Sequence, residues 1–105
     1  MYDLEIKEEV DKIFQKLAKK NTKQLEIIGK KIQEIRERPE GYKFLRNPLQ
    51  GYNRVHIDSS FVLIFRVDHE SKTVTICYYD HHDFIYRWRP KLEQATKHLN
   101  PSREK

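Results

Sequence analysis

The chain carries a single cysteine, Cys77, and no long apolar run in its 105 residues. One cysteine excludes an intrachain disulfide and points to a reducing cytosol. No stretch approaches the ~20 consecutive apolar residues that a bilayer-crossing helix needs. Residues 1–20 lack the continuous apolar core of a secretion signal. The expectation is therefore a soluble, cytoplasmic protein. Internal repeats and low-complexity stretches are also absent, as are the His-x-x-x-His and Cys-x-x-Cys spacings of common metal sites.

What the chain has in quantity is charge. Charged residues make up 35% and the mean hydropathy is −0.90, yet the apolar residues fall in periodic runs. That pattern describes a folded domain with a charged surface rather than a disordered chain. Lys and Arg number 21 against 16 Asp and Glu, giving a net charge of +5 and an isoelectric point near 9.3. A basic balance favours a polyanionic partner, since each phosphate neutralised releases a counterion. A Lys- and Glu-rich surface of the kind found in heat-stable proteins has the same look. The length suits one domain with one modest core.

Tyr2, Leu4 and Ile6 alternate with Asp3 and Glu5, predicting a short strand. Val10, Ile13, Phe14 and Leu17 then repeat at three and four, a helical stripe to about Lys20. Asn21-Thr22 interrupts it and supplies a capping hydroxyl. Leu25, Ile28, Ile32 and Ile35 mark a second amphipathic helix that Pro39 ends. So short a connection predicts an antiparallel helix hairpin.

Pro39, Gly41, Pro48 and Gly51 make residues 39–51 a loop, with Tyr42, Lys43 and Arg46 as its basic and aromatic tips. Three strands follow at Tyr52–Ile57, Phe61–Val67 and Thr73–Tyr79, with short turns that imply an antiparallel meander. Phe61–Val67 is apolar except for Arg66, as a central strand covered on both faces would be. Asp83–Trp88 can form a helical turn, and Pro90 suits the start of a short C-terminal helix, Lys91–Leu99. The expected architecture is α+β: an N-terminal strand, the helix hairpin against one sheet face, and a three- to four-stranded antiparallel sheet. Residues 1–88 form the domain and 89–105 a basic tail.

The candidate chemistry lies in two places. Arg54 and His56, two apart on a strand, share a face beside Tyr52, while Val55 and Ile57 point to the helices. That face suits phosphate, and an ordinary solvated strand face has the same pattern. The second place is Tyr79-Asp80-His81-His82-Asp83-Phe84-Ile85-Tyr86. Imidazole exchanges protons near neutrality. RNA cleavage needs no cofactor: a base removes the ribose 2′-proton, the oxygen attacks phosphorus, and an acid protonates the leaving 5′-oxygen. Cations stabilise the dianionic transition state. His56, His82, Arg54 and Tyr86 cover those roles in type. Asp80, His81, His82 and Asp83 are also competent metal ligands. Four consecutive ligands on an extended or tightly turned segment cannot all point one way, so no metal site and no cofactor are expected. His69 and His98 read as surface residues. Phe14, Phe61 and Phe65 are expected inside, with Tyr86 and Tyr52 available to stack on bases, worth ~1–3 kcal/mol each.

The order of these elements, Leu49-Gln50-Gly51-Tyr52 before the Arg54/His56 strand, the apolar Phe61–Val67 strand and the His82…Tyr86 ending resemble the RelE/ParE superfamily of toxin–antitoxin toxins. The resemblance spans about residues 2–88. Within it the chain looks most like the RelE, YoeB and YafQ messenger RNA interferases. It implies a type II toxin that cuts codons in the ribosomal A site and is neutralised by a cognate antitoxin. Many RelE-like members place an Arg after the aromatic that opens the central strand; here Val62 follows Phe61, as in the YafQ-like branch. His56 matches that branch's strand histidine and His82 its C-terminal histidine, with His81 the alternative acid. Tyr86 stands where these toxins place a base-stacking aromatic. The implied roles are His82 as general acid, His56 as base or phosphate ligand, and Arg54 as charge stabiliser. Asp80, His81, Asp58, Lys43, Arg46 and Tyr52 are expected to support the site or touch RNA. The alternatives are a non-nuclease module of the same fold (a ParE-like gyrase inhibitor or an inactive relic) and a free ribonuclease or RNA-binding domain acting without the ribosome.

Overall fold

The structure is a computed structural model that describes residues 1–45 and 49–90. Arg46 and the expected helix over Lys91–Leu99 lie outside the described residues. The elements in chain order are β1 (Asp3–Ile6), α1 (Glu8–Lys20), α2 (Thr22–Glu37), β2 (Lys43–Phe44), β3 (Asn53–Ile57), β4 (Phe61–Asp68), β5 (Thr73–His81) and a 3₁₀ turn at Ile85–Arg87.

Glu8, Glu9 and Asp11 occupy the first turn of α1, and Lys19 and Lys20 its last. Both sets oppose the partial charges that the helix dipole puts at those ends. Only Asn21 separates α1 from α2, and the Asn21 side chain accepts a hydrogen bond from the Gln24 amide at 3.1 Å. The cap is thus a carboxamide, not the expected hydroxyl, because Thr22 already lies inside the helix. At the other end Arg38 closes α2 just before Pro39.

The five strands form one sheet in the order β1-β5-β4-β3-β2. The β2 to β5 pairs are antiparallel, whereas β1 returns beside β5 in parallel, Leu4 opposite Val74 and Ile6 opposite Ile76. The stretch read as a loop therefore contains a two-residue edge strand, since Asn53 holds it by donating to the Tyr42 and Lys43 carbonyls. β4 is central, as its near-continuous apolar character implies.

Both helices lie on one face. Val10, Phe14, Ile28, Ile32 and Ile35 bury against Ile57, Leu63, Phe65, Val74, Ile76 and Tyr79. A second, smaller cluster lies on the opposite face: Leu45, Leu49, Val62, Ile64, Cys77 and Ile85, with Tyr52, Tyr78 and Trp88 packed around it. No helix is long and apolar enough to cross a membrane among the described residues.

One irregularity sets the faces of β5. The register runs from Ile64 opposite Tyr78 to Phe65 opposite Ile76, leaving Cys77 as an extra, unpaired residue. Such a bulge shifts the alternation by one. Val74 and Ile76 point to the helices before it, and Tyr79 does so after it. Tyr78 and Asp80 are thereby turned to the helix-free face.

Candidate functional site

Residues directly opposite on neighbouring strands share a face, so the register itself assembles the site. One cross-strand row is Lys43, Arg54, Ile64 and Tyr78; the next is His56, Val62 and Asp80. Both lie on the helix-free face, because Val62 and Ile64 belong to its apolar cluster. At antiparallel spacings of ~5 Å per strand, the His56 and Asp80 backbones stand about 10 Å apart across Val62. His56 and Lys43 are exposed and Arg54 is half-buried.

Arg66 joins this face, its guanidinium 6.0 Å from the centre of the Tyr52 ring. The sequence signal for it was its position as the one charge in an apolar strand, two residues on from Ile64. Lys43, Arg54 and Arg66 give the face three cations around an apolar floor. Such a surface draws phosphate by charge and holds it with directional donors.

Asp80 is tethered rather than free. Its carboxylate accepts from the Tyr78 hydroxyl at 3.2 Å and from the His81 amide at 2.8 Å. Burial, and then the charge of Asp80 and its hydrogen bond, push the Tyr78 phenol up from its ordinary value. Trp88 stacks on Tyr78 with centroids 5.8 Å apart and meets Tyr52 edge-on at 5.4 Å. Tyr52 is therefore half-buried between Trp88 and Arg66 and not open for base stacking as expected. Nothing local in the sequence marks Trp88 as a packing residue, because its place depends on the chain turning back over the sheet.

His81 and His82 lie at the end of β5. His81 pairs opposite Phe61 and meets its ring edge-on at 5.5 Å, toward the helix side. The His82 amide donates to the Ser60 carbonyl at 2.8 Å, which ties it to the turn between β3 and β4. Asp58 sits in that turn, exposed, with a left-handed φ of 60° that aspartate tolerates better than most residues. The two imidazoles stack with centroids 4.4 Å apart, and both lie near the Asp83 carboxylate. Among the described residues no hydrogen bond or ion pair joins His56 or Arg54 to His82. The structure thus groups Lys43, Arg54, His56 and Asp80 on one face and places His81 and His82 together at its end.

Tyr86 is 50% exposed on the 3₁₀ turn. Phe84 is also exposed, with the Arg87 guanidinium 5.2 Å from its ring centre. Nothing local in the sequence separates this exposed phenylalanine from the buried Phe14 and Phe65. Tyr79, by contrast, is buried, stacks on Phe61 at 5.3 Å and accepts from the Gln24 amide group at 2.8 Å.

Fold and face together define a small basic α+β domain with histidines at the edge of a cationic sheet surface. No protein-family model matches the chain. A Methanocaldococcus jannaschii protein that bears the toxin name RelE4 is 53% identical over 87 residues, 83% of this chain and 93% of that relative. The chain belongs to the RelE toxin family. Its fold is that of a YoeB/ParE toxin from Agrobacterium tumefaciens, with a TM-score of 0.69 at 15% identity over 76% of this chain and 98% of that one. The RelBE2 toxin–antitoxin complex of Mycobacterium tuberculosis also matches, with a TM-score of 0.65 at 23% identity over 77% and 98%. Identities this low speak for the fold alone.

Proposed function

We propose that this protein is the toxin of a type II toxin–antitoxin pair and a ribosome-dependent endoribonuclease. The observation that carries the reading is the cross-strand grouping of Lys43, Arg54, His56 and Asp80 on the helix-free face, with His82 and Tyr86 at its end. In the proposed reaction His56 takes the ribose 2′-proton, and the 2′-oxygen attacks phosphorus. Arg54 neutralises charge on the dianionic transition state. His82 protonates the departing 5′-oxygen, leaving a 2′,3′-cyclic phosphate on the upstream fragment. Tyr86 stacks on a messenger base. His81 and Asp80 support His82 from the preceding two positions. Asp58 lies at the rim, and Lys43 with Arg46 meets RNA.

Membership of the RelE family and the fold shared with the antitoxin-bound RelBE2 toxin support a cognate antitoxin as partner. A net charge of +5 suits an acidic antitoxin segment.

Expression of the wild-type chain and of His82→Ala, followed by primer extension on cellular messenger RNA, tests the reading. The expected result is codon-spaced cuts with the wild type and none with the folded variant. Undiminished growth arrest by His82→Ala would overturn the assignment of the acid. Supercoiling inhibition without cuts would replace the nuclease by a gyrase-directed module, and cleavage of naked RNA would remove the ribosome.

A further inference from the structure

We propose that His81, His82 and Asp83 form a solvent-open site for a divalent transition-metal ion of the zinc class. One ligand atom from each residue lies within 4.8 Å of the others. His81 Nδ1 is 3.4 Å from one Asp83 carboxylate oxygen and His82 Nδ1 is 3.2 Å from the other. Donors around a tetrahedral zinc sit ~3.4 Å apart, given bonds of about 2.1 Å. Each histidine-to-carboxylate spacing is thus close to that of a bound ion, and the three donors, within 4.8 Å of one another, need to draw together around it.

The backbone holds the three donors in place. The Phe84 amide donates to the His81 carbonyl at 2.9 Å, closing a turn across all three residues. The bond from the His82 amide to Ser60 anchors that turn to the neighbouring hairpin. This is how consecutive residues escape the extended-strand geometry that would splay them apart. Asp80, the fourth candidate in the sequence, stays out, since Tyr78 and the His81 amide occupy its oxygens.

Two imidazoles and one carboxylate suit zinc, nickel or copper(II), whereas magnesium and calcium prefer oxygen ligands alone. Three protein ligands leave a position for water, as in open zinc sites. Coordination through His81 Nδ1 displaces the Asp83 amide, which donates to it at 3.1 Å. That amide is on an exposed turn and water can accept from it, so the site binds more weakly than a closed structural zinc site. Occupancy at Nδ1 would keep His82 from forming the doubly protonated imidazolium that serves as the acid, making the metal an inhibitor of cleavage. This consequence rests on His82 being the acid; the site itself does not.

The test is titration of the full chain with zinc chloride at neutral pH, by calorimetry and by nitrogen-15 histidine NMR. One equivalent is expected to bind, moving the side-chain resonances of His81 and His82 and leaving that of His69 in place. Asp83→Ala and His81→Ala are each expected to weaken binding by more than about tenfold, and His69→Ala not at all. Zinc that leaves the His81 and His82 resonances unmoved, or that binds Asp83→Ala as tightly as the wild type, overturns the site. In the cleavage assay zinc should lower the wild-type rate, and Asp83→Ala should show a smaller ratio between its rates without and with zinc. Equal ratios would overturn the inhibitory role. Calorimetry and NMR read the site whether or not the protein cleaves RNA, and the zinc-free assay reads cleavage whether or not the site exists.

Discussion

Asp80 stands in the same cross-strand row as His56, with only Val62 between them on the sheet. His56 is exposed on its strand. His56→Ala should therefore lower cleavage by ~10²–10⁴-fold, the usual worth of a general acid–base group, while leaving the urea midpoint unchanged. A cleavage rate within about twofold of wild type would remove His56 from the chemistry.

Asp80 also helps burial hold the neighbouring phenol above its ordinary value. Its charge and hydrogen bond add to burial in raising Tyr78. In Asp80→Asn the Tyr78 titration should move to lower pH, because the anion that opposed its ionisation is gone. Ultraviolet difference absorbance against pH reads this directly, with Tyr78→Phe identifying the band.

Trp88 joins Tyr52 to Tyr78 over the second apolar cluster. Removing its half-buried ring should cost ~2–3 kcal/mol in urea denaturation, somewhat below the usual range for a fully buried aromatic. A Trp88→Phe variant should recover part of that loss. Stability equal to wild type in Trp88→Ala would show that the ring does not hold the 3₁₀ turn to the sheet.

On the helix side, Gln24 donates to the buried Tyr79 hydroxyl at 2.8 Å. Tyr79→Phe leaves the buried Gln24 amide without its acceptor, at a cost of ~1–3 kcal/mol. In the double variant with Gln24→Leu the loss should be smaller than the sum of the two single losses. Additive losses would mean that the pair is not coupled.

Cys77 occupies the bulge, and burial pushes its thiol up from 9.0 to about 11. At pH 8 the folded protein should resist iodoacetamide, and the urea-unfolded chain should be alkylated. The sign for stability follows from which state loses its proton first. The unfolded thiol ionises near 9.0, so this group's contribution is intact below that pH and is lost as pH rises toward about 11. Relative to Cys77→Ala, the wild type should therefore lose stability between pH 8 and 11. An unchanged difference between the two proteins across that range would contradict the burial-driven shift.

The helices and strands could be read locally because their apolar residues repeat at the period of each element. Val10, Phe14, Ile28, Ile32 and Ile35 are core residues as the stripe implied. Arg54 and His56 do share the helix-free face, as their spacing on a strand requires. Helix and strand periods act within a few residues, so they need no knowledge of the rest of the chain.

Pairing is a different matter, because register joins residues far apart in sequence. Only the tertiary structure decided that β1 runs parallel to β5, that Lys43 stands beside Arg54, and that His56 shares a row with Asp80. The bulge at Cys77 is the clearest case. An unbroken alternation from Ile76 would have turned Tyr78 and Asp80 toward the helices and Tyr79 away from them. One extra residue reverses all three, and no pattern within β5 marks its place. The turn that gathers His81, His82 and Asp83 depends in the same way on Ser60, a partner more than twenty positions earlier. The sequence alone determined which residues could carry the chemistry and which face of each element was apolar. Which of them meet was decided by strand pairing, whose hydrogen bonds are nonlocal.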